Sequence, residues 1–260
     1  MNDRKRIRQP FRILLPIAVW IIVWQLASMA VDKILLIPGP YDVLLSLKKL
    51  VVTSLFWKSA GMTLIRILIG TVTGTVAGCA LAVLTKCSDI ADTVISPVIR
   101  IVRATPVASF IILLLLWFAK SKVPAVVSCL VVIPIIWENV SAGIDGTDAL
   151  LLEMARAYRF GRMKTWRFIY VPSIRPYLLS GVSTALGLAW KSGVAAEVLC
   201  VPKSAVGTQI YNSKLYLETP ELFAWTIVVI ILSMIFEKLI KRLILKVAGA
   251  ESNSIRGQKA

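Results

Sequence analysis

Apolar stretches long enough to cross a hydrocarbon layer recur along almost the whole of this chain, and that recurrence leaves few folds open. A bilayer core takes about 20 residues of helix to cross. No water is present there to satisfy backbone N–H and C=O groups, so these stretches must close their hydrogen bonds internally, as helices. They fall at about residues 12–31, 61–85, 106–119, 123–143, 176–199 and 222–245. Composition agrees: of 260 residues, 57% are hydrophobic and only 17% charged, where a soluble domain carries about a quarter charged. The expected fold class is all-α, a polytopic membrane protein of six transmembrane helices forming one domain over residues 1–260. The stretch 106–119 is short, and Pro106 near its start predicts a broken or kinked beginning.

Charge sorts by side. With the N-terminus inside, segments 1–12, 86–105, 145–175 and 237–260 hold 20 of the 30 Lys+Arg, whereas 32–60, 120–122 and 200–220 hold 8. That asymmetry predicts both termini in the cytoplasm. The formal net charge of +16 is then explained by topology and anionic lipid, and not by nucleic acid. The N-terminal stretch has a signal-peptide flavour, with a small-residue site at Ser28–Ala30. Its apolar run is longer than a usual signal core and more spans follow, so it reads as a retained first helix. The four cysteines (Cys79, Cys87, Cys129, Cys200) show no paired spacing and the chain has no histidine. A zinc site is not expected, and a Ser-His or Cys-His nucleophile is excluded.

Between the first two spans, Pro38-Gly39-Pro40 precedes Val43, Leu44, Leu47, Leu50 and Val51. That helical stripe predicts a short amphipathic helix at the outer surface. Small residues recur every four positions at Gly70, Gly74, Gly78 and Ala82, and again at Gly181, Ala185, Ala189 and Gly193. In lipid such stripes let helix backbones approach closely. The next step along the second stripe is Glu197, which therefore faces protein or a cavity.

Four charges lie within the spans: Arg66, Glu138, Lys191 and Glu197. Intramembrane ionisable groups are costly and face a bundle interior, paired or along a pathway. Arg66 and Glu197 both sit near the outer ends of their spans and are expected to pair. Lys191 and Glu197 point about 120° apart on one helix, so they are not a local pair. The four are candidates for a translocation path or a gate, with Lys191 nearer mid-membrane.

The segment 145–175 is the most basic loop. Leu151, Met154, Ala155 and Tyr158 form an apolar stripe, and Arg156, Arg159 and Arg162 a basic one. Gly161 is placed to end a first short helix, and Pro172 to end a second over Met163–Ile169 before the next span. Such a helix–turn–helix either lies on anionic lipid or docks into a partner's groove.

The loop resembles the EAA loop of bacterial ABC importer permeases. Glu153 and Ala155 match its opening, with Met154 in place of the middle Ala. Ile169, Val171 and Pro172 fall at the offsets of its closing Ile-x-Leu-Pro. Arg159 stands at the family's Gly position, with Gly161 two residues later expected to take over the turn. IPGPYDVLLSL, TLIRILIGTVTGTVAG, RATPVASFIILLLLWF, IPIIWENVSAGI and GLAWKSGVAAEVL are similar, in order, to stretches of the nitrate/sulfonate/taurine branch.

The resemblance implies a type I importer permease in the bacterial inner membrane, working as a homodimer. Its partners would be a cytoplasmic ABC ATP-binding subunit and an external substrate-binding protein. Glu153, Met154, Ala155, Arg156, Tyr158, Arg159, Gly161 and Pro172 would couple transport to the ATPase. The substrate would be a small anion of sulfonate, nitrate or taurine type, or a vitamin precursor. The chain has no P-loop ending in Gly-Lys-Ser/Thr, so it is expected to be no enzyme and to hold no cofactor, ATP being bound by the partner. The alternative is an ion-coupled secondary transporter using Glu138 and Glu197.

Overall fold

The structure is a computed structural model that describes residues 3–257 and, of their side chains, those of 15, 16 and 18–242. Every described element is helical. In chain order they are α1 (Asp3–Val31), α2 (Pro40–Val51), α3 (Ser54–Cys87), α4 (Asp89–Ala104), α5 (Val107–Leu114) and α6 (Val123–Asp145). Then follow α7 (Ala149–Ala157), α8 (Arg162–Thr165), a π-helical turn (Trp166–Tyr170), α9 (Val171–Cys200), α10 (Val206–Leu215) and α11 (Thr219–Gly257). By length and composition, α3, α6 and the part of α11 up to Arg242 can each cross a membrane, and α4 with α5 makes a fourth, broken candidate. The described part of α1 contributes a shorter apolar helix, Ala18–Val31.

The centre of the molecule is α6, with α3 on one flank and α9 on the other. Both small-residue stripes are used there. A Cβ added at Gly70 would lie 2.3 Å from the Ala125 carbonyl oxygen, at Gly74 2.7 Å from that of Cys129, and at Gly78 2.8 Å from Ile136 Cβ. On the other flank, a Cβ at Gly181 would meet Asn139 at 2.9 Å. Backbones this close are stitched by polar contacts: Ser128 Oγ donates to Ala189 O at 3.1 Å, and Trp137 Nε1 to Thr85 Oγ1 at 3.0 Å. Lipid offers no hydrophobic drive between helices, so such packing and hydrogen bonding hold the bundle. Ile67, Val132, Ile136, Leu186 and Trp190 fill the space between.

A second apolar cluster joins α2, α3 and α11, where Phe56 stacks on Trp225 with centroids 5.5 Å apart. The expected surface helix is α2; Val43 and Leu50 of its stripe are buried, while Leu44 faces out. At the end of α1, Trp24 Nε1 donates to Pro38 O at 3.0 Å, fixing the turn before α2.

The broken third span is sharper than expected. Ser88 caps α4 by accepting from Ala91 N–H. Thr105 is extended, as a residue before proline must be, and Pro106 cannot continue the ladder. The chain turns by 103° there, and α5 stops at Leu114 instead of running to 119. A second expectation fails at Pro172. Helix continues from Arg162 to Cys200, because the π turn before Val171 widens the backbone where proline would clash with the preceding turn.

The close α3–α6 approach gives a paired test. Gly74→Ala forces a Cβ into Val132 and the Cys129 carbonyl and should lower stability by about 1–3 kcal/mol. Gly61, with nothing within 4 Å of its added Cβ, should accept Ala neutrally or gain up to about 1 kcal/mol. Unfolding of the two variants from mixed micelles by dodecyl sulfate measures the difference, and equal effects would count against the contact.

Candidate functional site

A charge clamp forms where α3 and α9 meet, beside the start of α10. Arg66 and Glu197 are 3.2 Å apart with both side chains buried, Glu197 completely. Depth counting along the spans anticipates this pair. It does not anticipate the groups that complete it. Thr63 Oγ1, one turn before Arg66, lies 2.8 and 3.0 Å from the two Glu197 oxygens, and Gly207 N–H donates to Glu197 Oε2 at 3.2 Å. Val206 N–H donates to Thr63 Oγ1 at 3.0 Å. Arg66 turns its remaining donors to the following loop, bonding Lys203 O at 2.9 Å and Ser204 O at 3.1 Å.

The sequence signal for α10 is weak, since its turns are polar and short, and only Gly207 hints at a close approach. A Cβ there would sit 2.5 Å from Glu197 Cβ, so glycine is what lets α10 close over the carboxylate. Each charged group thus has several partners, as a buried pair requires if its desolvation is to be offset. This geometry ties α3, α9 and the start of α10 together around a buried pair.

The other two intramembrane charges lie apart from the clamp. Glu138 pairs with Arg103, on α4 just before the 103° bend, and both are more than half exposed. They line a cavity of about 310 Å³ with Thr105, Phe110, Asn139 and Thr184. Lys191 is exposed on the face of α9 that also carries Thr184 and Leu188, and it makes no ion pair or hydrogen bond among the described residues. The structure therefore brings together two of the four candidates and leaves Glu138, paired with Arg103, and Lys191 apart from them and exposed.

In the basic loop, α7 begins at Asp148, whose side chain accepts from Leu150 N–H at 2.9 Å. It ends in a Schellman turn: Phe160 N–H bonds Ala155 O at 2.8 Å and Arg159 N–H bonds Arg156 O at 3.0 Å. The left-handed residue of that turn is Arg159, at φ 52°. Gly161 has φ −67° and merely precedes α8, so it does not take over the turn. The family's Gly position is, in this chain, the position that needs positive φ, and an arginine occupies it.

A further correction concerns Ala155, which is 3% exposed. Its small side chain is the one member of the apolar stripe that this chain's own atoms cover. Glu153, Met154, Arg156, Tyr158, Arg159, Gly161 and Pro172 are exposed. Behind them, Ile169 is buried and Trp166 and Tyr170 pack on the central cluster, so the loop is fastened to the bundle.

An all-helical bundle stitched by glycine, with an internal charge lock and an outward-facing basic loop, has the makings of a membrane transport subunit. The family described as binding-protein-dependent transport system inner membrane component matches residues 70–247, and the chain belongs to it. Among curated relatives, the protein designated an aliphatic sulfonates transport permease, SsuC, of Bacillus subtilis (strain 168) is 27% identical, covering 94% of this chain and 89% of that protein. The taurine transport system permease protein TauC of Escherichia coli (strain K12) is 21% identical over 85% of this chain and 81% of its own length. A nitrate import permease protein, NrtB, of Leptolyngbya laminosa is 28% identical over 56% and 52%.

Two solved structures share the fold. One is an amino acid ABC transporter with histidines, at TM-score 0.60 and 18% identity over 74% of this chain and 92% of that one. The other is a bacterial ABC transporter involved in the import of the acidic polysaccharide alginate, at TM-score 0.57 and 16% identity over 97% and 98%. The chain is a permease subunit of an ABC importer.

Two outcomes check the site. Arg66→Leu and Glu197→Leu should each cost about 3–5 kcal/mol, and the double variant should recover part of the loss. Strictly additive losses of folded protein in detergent would remove the pairing. At the loop, a left-handed L-residue carries a strain of about 1–2 kcal/mol. Arg159→Gly should slow hydrogen exchange at the Phe160 amide and Arg159→Val should speed it.

Proposed function

We propose that this chain is the membrane half of an importer for small anions, working as a homodimer with two cytoplasmic ATP-binding subunits and an external binding protein. Six crossings are assigned, by α1, α3, the α4–α5 pair, α6, α9 and α11, with both termini and the loop 145–175 in the cytoplasm. ATP chemistry belongs to the partner, since this sequence lacks a P-loop. The binding protein delivers substrate to the outer face, the substrate passes Lys191 and then Glu138, and ATP-driven closure of the partners moves α7. The substrate class is that named for the relatives: sulfonate, taurine or nitrate.

The observation that carries this reading is the shape of the basic loop. Trp166 and Tyr170 fasten the end of the loop to the bundle and Ile169 is buried beside them, while Met154 at 44% and Tyr158 at 74% exposure stand outward beside Glu153. Apolar knobs flanked by charge suit a partner's groove. A lysine deep in a span, exposed and without a partner among the described residues, favours a second subunit or a water-filled path over lipid at that face.

Met154→Asp, Tyr158→Asp and Glu153→Lys should leave permease levels normal and abolish co-purification of the ATPase and substrate uptake. Ala155→Trp should instead lower permease levels, because its bulk enters the chain's own packing. Pull-down by the tagged variants decides. If only removal of Arg156, Arg159 and Arg162 together matters, the loop is a lipid-surface element.

A further inference from the structure

Beside the charge clamp, the structure holds a cavity of about 430 Å³ lined by Arg66, Lys120, Ser121, Val201, Pro202 and Lys203. Three of these six residues are cationic and no carboxylate lines it among the described residues. The nearby Glu197 is fully buried behind the wall and engaged by Arg66, Thr63 and Gly207. The local balance is therefore positive. On the topology proposed above this is the outer side, where basic residues run against the charge bias of the chain. Two of the eight outer lysines and arginines, Lys120 and Lys203, are gathered here.

The wall is also strained. Val201, a β-branched residue, sits in the left-handed region at φ 49°, and Ser204 at φ 52°. Valine at positive φ is rare, and surrounding contacts must impose it. Those contacts are present. Val201 N–H bonds Glu197 O at 3.0 Å, Thr208 Oγ1 donates to Pro202 O at 2.6 Å, and Arg66 grips the carbonyls of Lys203 and Ser204. The opposite wall, Lys120 and Ser121, lies just before the N-terminus of α6, which has no side-chain cap. The positive end of that helix adds to the field.

We infer that this cavity is a receiving site for a small monovalent oxyanion at the outer mouth, held by Lys120 and Lys203 beside Arg66, with Ser121 on its rim. It rests on the reading of the chain as an anion permease, and it adds a site that includes neither Glu138 nor Lys191. Its chemistry is that of a sulfonate or nitrate group: one negative charge spread over several acceptor oxygens, matched by two ammonium donors.

The test reads the local potential without requiring transport. Ser121→Cys is placed in the intact transporter with the exposed native thiol removed (Cys87→Ser), and spheroplasts are treated with charged methanethiosulfonates. At the thiol introduced at position 121, the sulfonatoethyl reagent should react about tenfold faster relative to the trimethylammonium-ethyl reagent than at a Ser54→Cys control. A cleft lined by one sign of charge raises the arrival of its counter-ion. Adding Lys120→Gln with Lys203→Gln should abolish that preference. Methanesulfonate should protect the thiol at position 121 and leave the one at position 54 unprotected. An equal reagent ratio at the two positions would overturn the site. A preference without protection by methanesulfonate would also overturn it, pointing to an acidic side chain of an external protein as the occupant. Because labelling needs no ATPase, these failures are separate from failure of the docking pull-down.

Discussion

Everything in this bundle depends on how closely α3 and α9 approach α6. Glycine on both flanking helices brings backbone within reach of backbone, with added Cβ atoms forbidden at less than 3 Å along Gly70, Gly74, Gly78 and Gly181. That approach sets the register of α3 against α9, and the register sets what happens at one end. There Thr63 and Arg66 on α3 come level with Glu197 on α9. The ion pair is a consequence of packing before it is a contributor to it. A one-turn slip, about 5.4 Å, would strand a full charge in the interior.

Polar order decreases from that locked end toward the bend. At the lock, both charged groups have several partners and the loop 201–205 is pulled into strain. At the 103° bend, Arg103 and Glu138 face each other half in the open, and Lys191 between the two regions has no partner among the described residues. Physically these are different states of charge: one group fixed by desolvation, the others free to exchange partners. A permease needs both, a rigid frame and a face that can rearrange.

The sequence exposed the frame better than the details. The small-residue stripes, the Arg66–Glu197 pair and the break at Pro106 all follow from spacing and depth, because lipid penalises every alternative. α10 and its seal over Glu197 were not legible, since Val206–Leu215 is short, polar and outside any span, and its position depends on contacts far along the chain. The sequence points to Gly161 for the turn that Arg159 makes, because arginine carries no sign of a left-handed backbone. The 6→1 bond from Phe160 to Ala155 imposes that conformation from outside the residue. The stripe of Leu151, Met154, Ala155 and Tyr158 does not say which of its members is covered, and only Ala155 is. Pro172 was read as a stop because the π turn that accommodates it has no signature of its own.

That π turn has a mechanical consequence. By absorbing Pro172 it leaves helix unbroken from Arg162, in the basic loop, to Cys200, beside the clamp. At 1.5 Å per residue this is a rod of about 58 Å. Its near end starts inside the basic loop, just after α7, and its far end carries Glu197 and leads into the strained Val201. A tilt of about 5° at one end displaces the other by about 5 Å, more than the length of a salt bridge. The same continuous hydrogen-bonded backbone reaches both the loop and the clamp, so its length gives any tilt leverage.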